Sequence, residues 1–315
     1  MNNWMENLRE LKEMHLQIAE LCIGKKLAYV DIPFHGNVGD HLIYMGTEAF
    51  FEQHQLNVIY RAFDTNVCDK NLDAADVIVC HGGGNLGDIY HIHQALRDRI
   101  IEKYPNKKII VMPQTIHFNS QHNVDACAKK WSQHKDLHLF VRDTNSLEIG
   151  KQFTPNCTLM PDMAHSLHPL VDVSEVLSAD VTLNELRILN LRRVDVEKVQ
   201  QQTTINKQPF DWVDLTTTQD IATTNLVGRI RNKPFLKQKS NQIWFKHSKS
   251  LCFRAVQHFM SHNVVYTDRL HGMILSYLLG RRIKLMDNSY GKNLNYFNQW
   301  IKQSDLVEVL PQKSD

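Results

Sequence analysis

Two spacings of apolar residues alternate along the chain. Short unbroken runs such as VIVC (77–80) and IIVM (109–112) have the length and composition of strands buried on both faces. Between them lie longer stretches with apolar residues three and four apart, among them HLIYMGTEAFFEQH (41–54) and HIHQALRDRIIEKY (91–104), which predict helices. The same alternation runs through KKLAYVDIPF, NVIYRA, KKIIVMPQTIHF and HLFVRDTNSLEIGKQF, then restarts at ELRILNLRRVD and continues through SKSLCFRAVQHFMSH, NVVYT, DRLHGMILSYLLG, RRIKLMD and NLNYFNQWI. Strands alternating with helices imply α/β architecture with parallel sheets covered by helices. The opening MNNWMENLRELKEMHLQIAEL predicts an amphipathic helix, and residues 220–248 carry little apolar periodicity.

A length of 315 residues suits two domains of roughly 150 residues each. The polar connection VDVSEVLSAD places the boundary so that residues 1–175 form one unit and 176–315 another. The last helix is expected to pack back on the first unit. In doubly wound sheets, ligands sit outside the carboxyl ends of the strands. HGNVGD, HGGGNLGD, MPQTIH, VRDTNS, NLRRVD, TDRLHG and MDNSYGK all fall at such ends, and two confronting sheets would turn them toward one crevice.

Composition narrows the chemistry. With 43% apolar, 22% charged and 9% aromatic residues, the chain is that of a soluble globular protein. Lys and Arg number 36 against 34 Asp and Glu, which excludes the strong positive field of a nucleic-acid binder, so any anion bound is expected to be small. The six scattered cysteines form no CxxC pair and suit a reducing cytosol. No stretch approaches the roughly 18 consecutive apolar residues of a membrane span, so membrane contact is at most peripheral. His91 and His93, two apart on a helix, point away from each other, and no protein-built metal site is expected.

Several residues at these strand ends invite a chemical role. Gly83 and Gly84, with Asn85, can bring backbone N–H groups close to an anion or simply make a tight turn. Asp40 suits a helix cap, and His35 a packed histidine at a strand end. Arg142 can clamp a carboxylate or phosphate, or pair with Asp143 or Glu148; Arg192 and Arg193 add two cations, at least one of them merely solvated. Asp268, Arg269 and His271 form the densest group. An arginine-held anion beside an imidazole allows proton transfer, whereas the bland alternative is a capped helix start.

Taken in order, HGNVGDHLI, CHGGGNLGD, MPQTIHF, VRDTNSLE, MPDMAH, NLRRVDVE, TDRLHGMILSYLLG and DNSYGKNLNYF resemble the motifs of the bacterial polysaccharide pyruvyltransferases over roughly residues 27–300. The resemblance implies two facing Rossmann-like domains, similar to the glycosyltransferase B architecture. It implies transfer of a pyruvyl group from phosphoenolpyruvate to two hydroxyls of one sugar, giving a ketal and phosphate with no cofactor. By the same resemblance, His271 is the acid/base and Arg142 and Arg269 hold the donor. Gly83, Gly84, Asn85, Asp40, Arg192, Tyr290 and Lys292 line the crevice, and Asp268 either orients a neighbour or caps the helix. The acceptor would be a nucleotide- or lipid-linked saccharide of capsule or exopolysaccharide assembly, handled in the cytoplasm or at the inner face of the membrane. Self-association stays open. The competing classes are a glycosyltransferase of the same architecture using a nucleotide sugar and a non-catalytic saccharide-binding protein.

Overall fold

A computed structural model describes residues 3–170, 186–193, 208–287 and 291–311. Seven strands form the first sheet: β1 (Lys26–Ile32), β2 (Asn57–Phe63), β3 (Val77–Cys80), β4 (Gly83–Gly87), β5 (Lys108–His117), β6 (Leu137–Val141) and β7 (Cys157–Leu159). Their order is β2-β1-β3-β5-β6-β7, and β4 pairs with the distal half of β5, continuing the line of β3. The second sheet contains β8 (Ile188–Leu191), β9 (Val264–Thr267), β10 (Arg282–Leu285) and β11 (Val307–Val309) in the order β11-β10-β9-β8. Every strand pairing described is parallel, as the unbroken apolar runs require.

Local chemistry departs from the sequence expectation in two places. HGGGNLGD does not turn directly into a helix; its glycines make strand β4, and the next helix starts at His91. Gly87 permits this, since it takes φ 132° with its Cα against the His117 carbonyl, where an added Cβ would lie 1.7 Å from the oxygen. The helix Val38–Gln53 is capped by Asn37, whose side chain accepts the Gly39 N–H at 3.0 Å. Asp40 is therefore not the cap but a first-turn residue with its carboxylate released for other use.

The N-terminal amphipathic stretch forms two helices, Asn3–Met14 and Leu16–Cys22. At their junction, the buried His15 binds Ser166 Oγ at 2.7 Å and the Pro161 carbonyl at 3.1 Å. The stretch of low periodicity folds as the helices Thr218–Ile230 and Lys237–Met260. The second buries Ser240, His247 and Ser248 alongside Trp244, Leu251 and Phe259, so polar residues interrupt its apolar stripe.

The expected boundary at 175/176 lies outside the described residues. Around it, one apolar core is shared by the two sheets, with Leu42, Met163, Leu191, Trp244, Leu270 and Met273 in a single cluster. The helix Val38–Gln53 runs through that cluster and packs on the helices Lys237–Met260 and Leu270–Leu278 and on the 3-10 turn Met163–Leu167. Gly46 makes the last contact possible: a Cβ there would stand 2.1 Å from the Met163 carbonyl oxygen. The helix Lys292–Trp300 packs back on the first sheet, with Trp300 Nε1 donating to the Arg142 carbonyl at 2.6 Å.

Candidate active site

A cavity of about 250 Å³ opens at the carboxyl ends of the strands, lined by residues that follow β1, β3, β8, β9 and β10. Its polar wall combines His35, Asp40, His93, Arg193, Arg269, His271 and Lys292. Three fixed cations and three imidazoles thus face one carboxylate among the described lining residues. The field inside favours an anion.

His271 enters from the first turn of the helix Leu270–Leu278. That helix starts without a side-chain cap, Arg269 standing at the N-cap position, so TDRLHG is not the capped turn that its composition also allowed. The imidazole Nε2 lies 3.3 Å from Oδ2 of Asp162, and the same oxygen takes Nη1 of Arg142. Asp162 is fully buried; its Oδ1 accepts the Ala164 N–H at 2.9 Å, and its own N–H donates to Tyr296 Oη at 3.0 Å. Burial alone would raise its carboxyl pKa, but His271 and Arg142 outweigh burial and hold it well below the ordinary carboxylate range. Gly39 leaves room for the ring on the other side, where an added Cβ would meet His271 Nδ1 at 2.6 Å. His271 is thus a histidine with a buried carboxylate on one edge and a glycine wall behind.

Arg142 is fully buried and stands just off the cavity wall. Its ion pair is with Asp162 and not with Asp143, which caps the next helix through Ser146 N at 2.8 Å, nor with Glu148, which pairs with Lys151 at 2.9 Å. Thr115 Oγ1 accepts from its Nη2 at 2.9 Å. A Cβ on Gly84 would lie 3.4 Å from Arg142 Nη2 and 2.6 Å from Lys292 Nζ, so both cations meet over this one glycine. Gly84 and Asn85 line the cavity; Asn85 is held by Arg97, whose Nη2 donates to its Oδ1 at 2.7 Å. Gly83 lies behind them, its Cβ position 3.6 Å from Asp40 Oδ1.

Arg269 is nearly buried and makes a two-pronged contact with Asp211, Nε to Oδ1 at 2.5 Å and Nη2 to Oδ2 at 2.6 Å. Between the adjacent arginines, the structure puts Arg193 on the cavity and Arg192 beside Asp268, Nε to Oδ2 at 3.7 Å. Asp268 accepts the Arg193 N–H at 2.9 Å, and its carbonyl accepts from Asn293 Nδ2 at 2.7 Å. It ties three loops together and caps no helix. Tyr290 lies outside the described residues.

Four contributors were missed or undervalued from the sequence. His35 is exposed on the cavity rim, 3.6 Å from Asp40 Oδ2, where the sequence suggested a packed residue. His93 lines the wall with its Nδ1 2.6 Å from the buried Asp31, whose hydrogen bond raises the imidazole pKa although burial opposes it. Asp162 and Asp211 each complete an interaction across a long sequence separation, 109 residues to His271 and 58 to Arg269. The only available signals were an aspartate after a short strand in MPDMAH and a capping-box spacing in DWVD.

Comparison with known proteins gives the family of the chain. Residues 37–288 match the family model described as polysaccharide pyruvyl transferase. A Bacillus subtilis protein named as a pyruvyl transferase, EpsO, is 35% identical over 287 residues, covering 88% of this chain and 86% of its own. Pyruvyl transferase 1 of Schizosaccharomyces pombe is 26% identical over 292 residues, 88% of this chain and 70% of its own. A crystal structure of an uncharacterised Klebsiella pneumoniae protein shares the fold with a TM-score of 0.58 at 22% identity, covering 99% of this chain and 100% of that one. With the family model spanning most of the chain and every lining residue of the cavity except His35 and Lys292, this protein belongs to the polysaccharide pyruvyl transferase family and is a transferase enzyme.

Proposed function

We propose that the enzyme moves the pyruvyl unit of phosphoenolpyruvate onto two hydroxyls of one sugar residue in an exopolysaccharide or capsule precursor, closing a cyclic ketal and releasing phosphate. The observation that carries this reading is the His271–Asp162 pair set beside Arg269, Arg193 and Lys292 in one small cavity. A cavity of about 250 Å³ suits a three-carbon phosphate ester better than a nucleotide sugar, which needs a pocket nearer the upper part of the usual range of roughly 300–1,000 Å³.

The residues divide the work. The Arg269 fork, held by Asp211, and the Lys292 ammonium over Gly84 bind the donor's carboxylate and phosphate, with Arg142 adding positive charge beside Lys292 at the same glycine. His271 delivers a proton to C3 of the enol, leaving C2 open to a sugar hydroxyl, and Asp162 fixes the imidazole's orientation. The acceptor is a nucleotide- or lipid-linked saccharide approaching from the open side. No cofactor enters this scheme, since the two substrates supply every reacting atom.

We place the reaction in the cytoplasm, at or near the membrane's inner face. The six cysteines are free thiols, as a reducing compartment favours. Among the described residues, no helix is long and apolar enough to cross a membrane. The decisive experiment incubates the purified enzyme with phosphoenolpyruvate and p-nitrophenyl hexosides, following inorganic phosphate and the mass of the glycoside. Phosphate and a ketal product are expected from wild type and neither from His271→Ala. Nucleotide release from a sugar donor, with no phosphate from phosphoenolpyruvate, would overturn the reading.

A further inference from the structure

An anion-binding cavity has no evident use for an ionised carboxylate in its wall, since the charge repels the ligand that the surrounding cations attract. Asp40 is such a group. Burial works to protonate it, yet His35, His271, His81 and Lys292 around it outweigh burial and keep it ionised. The other carboxylates of the site each accept a hydrogen bond: Asp31 from His93 and Arg97, Asp162 from Arg142 and the Ala164 N–H, Asp211 from Arg269, and Asp268 from the Arg193 N–H. Asp40 differs from all four. Among the described residues no group donates a hydrogen bond to its oxygens, and the one ion-pair contact, from His35 Nε2, spans 3.6 Å. Asn37 relieves it of the helix cap, and Gly83 opens the space beside Oδ1.

An ionised carboxylate on the cavity wall with open acceptor positions calls for neutral hydroxyl donors. We propose that Asp40 receives the two reacting hydroxyls of the acceptor sugar and is the base that takes the first hydroxyl's proton. This rests on the pyruvyl-transfer reading above. As the first hydroxyl oxygen bonds to C2, its proton passes to Asp40 and the C2=C3 π pair takes a proton from His271 to make the methyl group. The second hydroxyl oxygen then bonds to C2 while the C2–O bond to phosphate breaks with its electron pair on phosphate. The second hydroxyl's proton leaves on that phosphate, and transfer from Asp40 to His271 resets the pair. The same carboxylate explains how a site rich in cations separates its ligands: the anionic donor lies toward Arg269 and Lys292, and the uncharged polyol lies toward Asp40.

The test is Asp40→Asn, which keeps the shape and removes both the charge and the proton acceptor. Turnover of phosphoenolpyruvate with the p-nitrophenyl hexoside that wild type uses best should fall about 10²–10⁴-fold, the range for a positioned base. Calorimetric titration with phosphoenolpyruvate alone should show affinity equal to or tighter than wild type, because a repelling charge has been removed. Asp40→Glu, which retains the base on a longer arm, should recover part of the turnover. Loss of donor affinity in Asp40→Asn, or turnover within about tenfold of wild type, would overturn the assignment. A wild-type enzyme that releases no phosphate in the same assay would overturn the pyruvyl-transfer reading, and this assignment with it.

Discussion

Replacing Asp162 by Asn tests the site at its most connected point. The carboxylate is fully buried, and Oδ2 alone touches both Arg142 and His271. Removing one partner of a buried ion pair generally costs about 3–5 kcal/mol, because the other charge is left without compensation. Arg142 keeps its bond to Thr115 Oγ1 at 2.9 Å, which places the expected loss at the lower end, about 3 kcal/mol, or about 4–5 °C in melting temperature for a chain of this length. His271 loses its orienting partner at the same time, so kcat should fall by about 10²–10⁴-fold. The pH dependence gives an independent check. Asp162 has a folded pKa depressed below its unfolded value, so its stabilisation is complete above the unfolded pKa of about 4 and is lost as pH falls toward the folded value. Wild type should therefore lose stability on acidification below about pH 4 more steeply than Asp162→Asn. Adding Arg142→Met to the variant removes the orphaned charge and should restore part of the melting temperature while leaving turnover low. A single variant with wild-type melting temperature, or a double variant less stable than the single, would refute the description of this triad.

Two further outcomes follow from the same wall. Gly39→Ala would put a Cβ within 2.6 Å of His271 Nδ1 and 3.0 Å of its Cβ, forcing the ring from Asp162. Turnover should drop by at least about 10²-fold, while overpacking costs about 1–3 kcal/mol of stability by thermal melt; wild-type kinetics would show that the imidazole position is not critical. Arg269→Lys cannot reproduce the two-pronged contact with Asp211 at 2.5 and 2.6 Å. The half-saturating phosphoenolpyruvate concentration should rise about 10–100-fold, the weight of one or two charge-assisted hydrogen bonds, and an unchanged value in steady-state assays would remove Arg269 from donor binding.

The strands were legible because burial on both faces of a parallel sheet leaves unbroken apolar runs, as in Val77–Cys80 and the start of Lys108–His117. The Lys237–Met260 helix was obscure for the opposite reason: its buried side carries Ser240, His247 and Ser248, so its pattern resembles a solvated segment. At the site, Arg269 and His271 were visible as a local cluster. Asp162 and Asp211 were not, since each matters only through a partner brought close by folding. Asp40 and Asn37 show the limit of local reasoning at close range, for both suit the start of a helix and only the backbone geometry assigns the cap to Asn37.

The helix Val38–Gln53 has one further consequence. Its first turn carries Asp40 and backs His271 through Gly39, while its middle presses Gly46 on the turn that follows Asp162. It therefore acts as a common datum for groups drawn from both sheets. A packing change that moved this helix by a few tenths of an ångström would displace His271, Asp162 and Asp40 relative to one another. Activity in this fold should then be more sensitive to substitutions along the buried length of that helix than to many changes on the cavity rim, and loss of alignment should appear as a coordinated failure of all three.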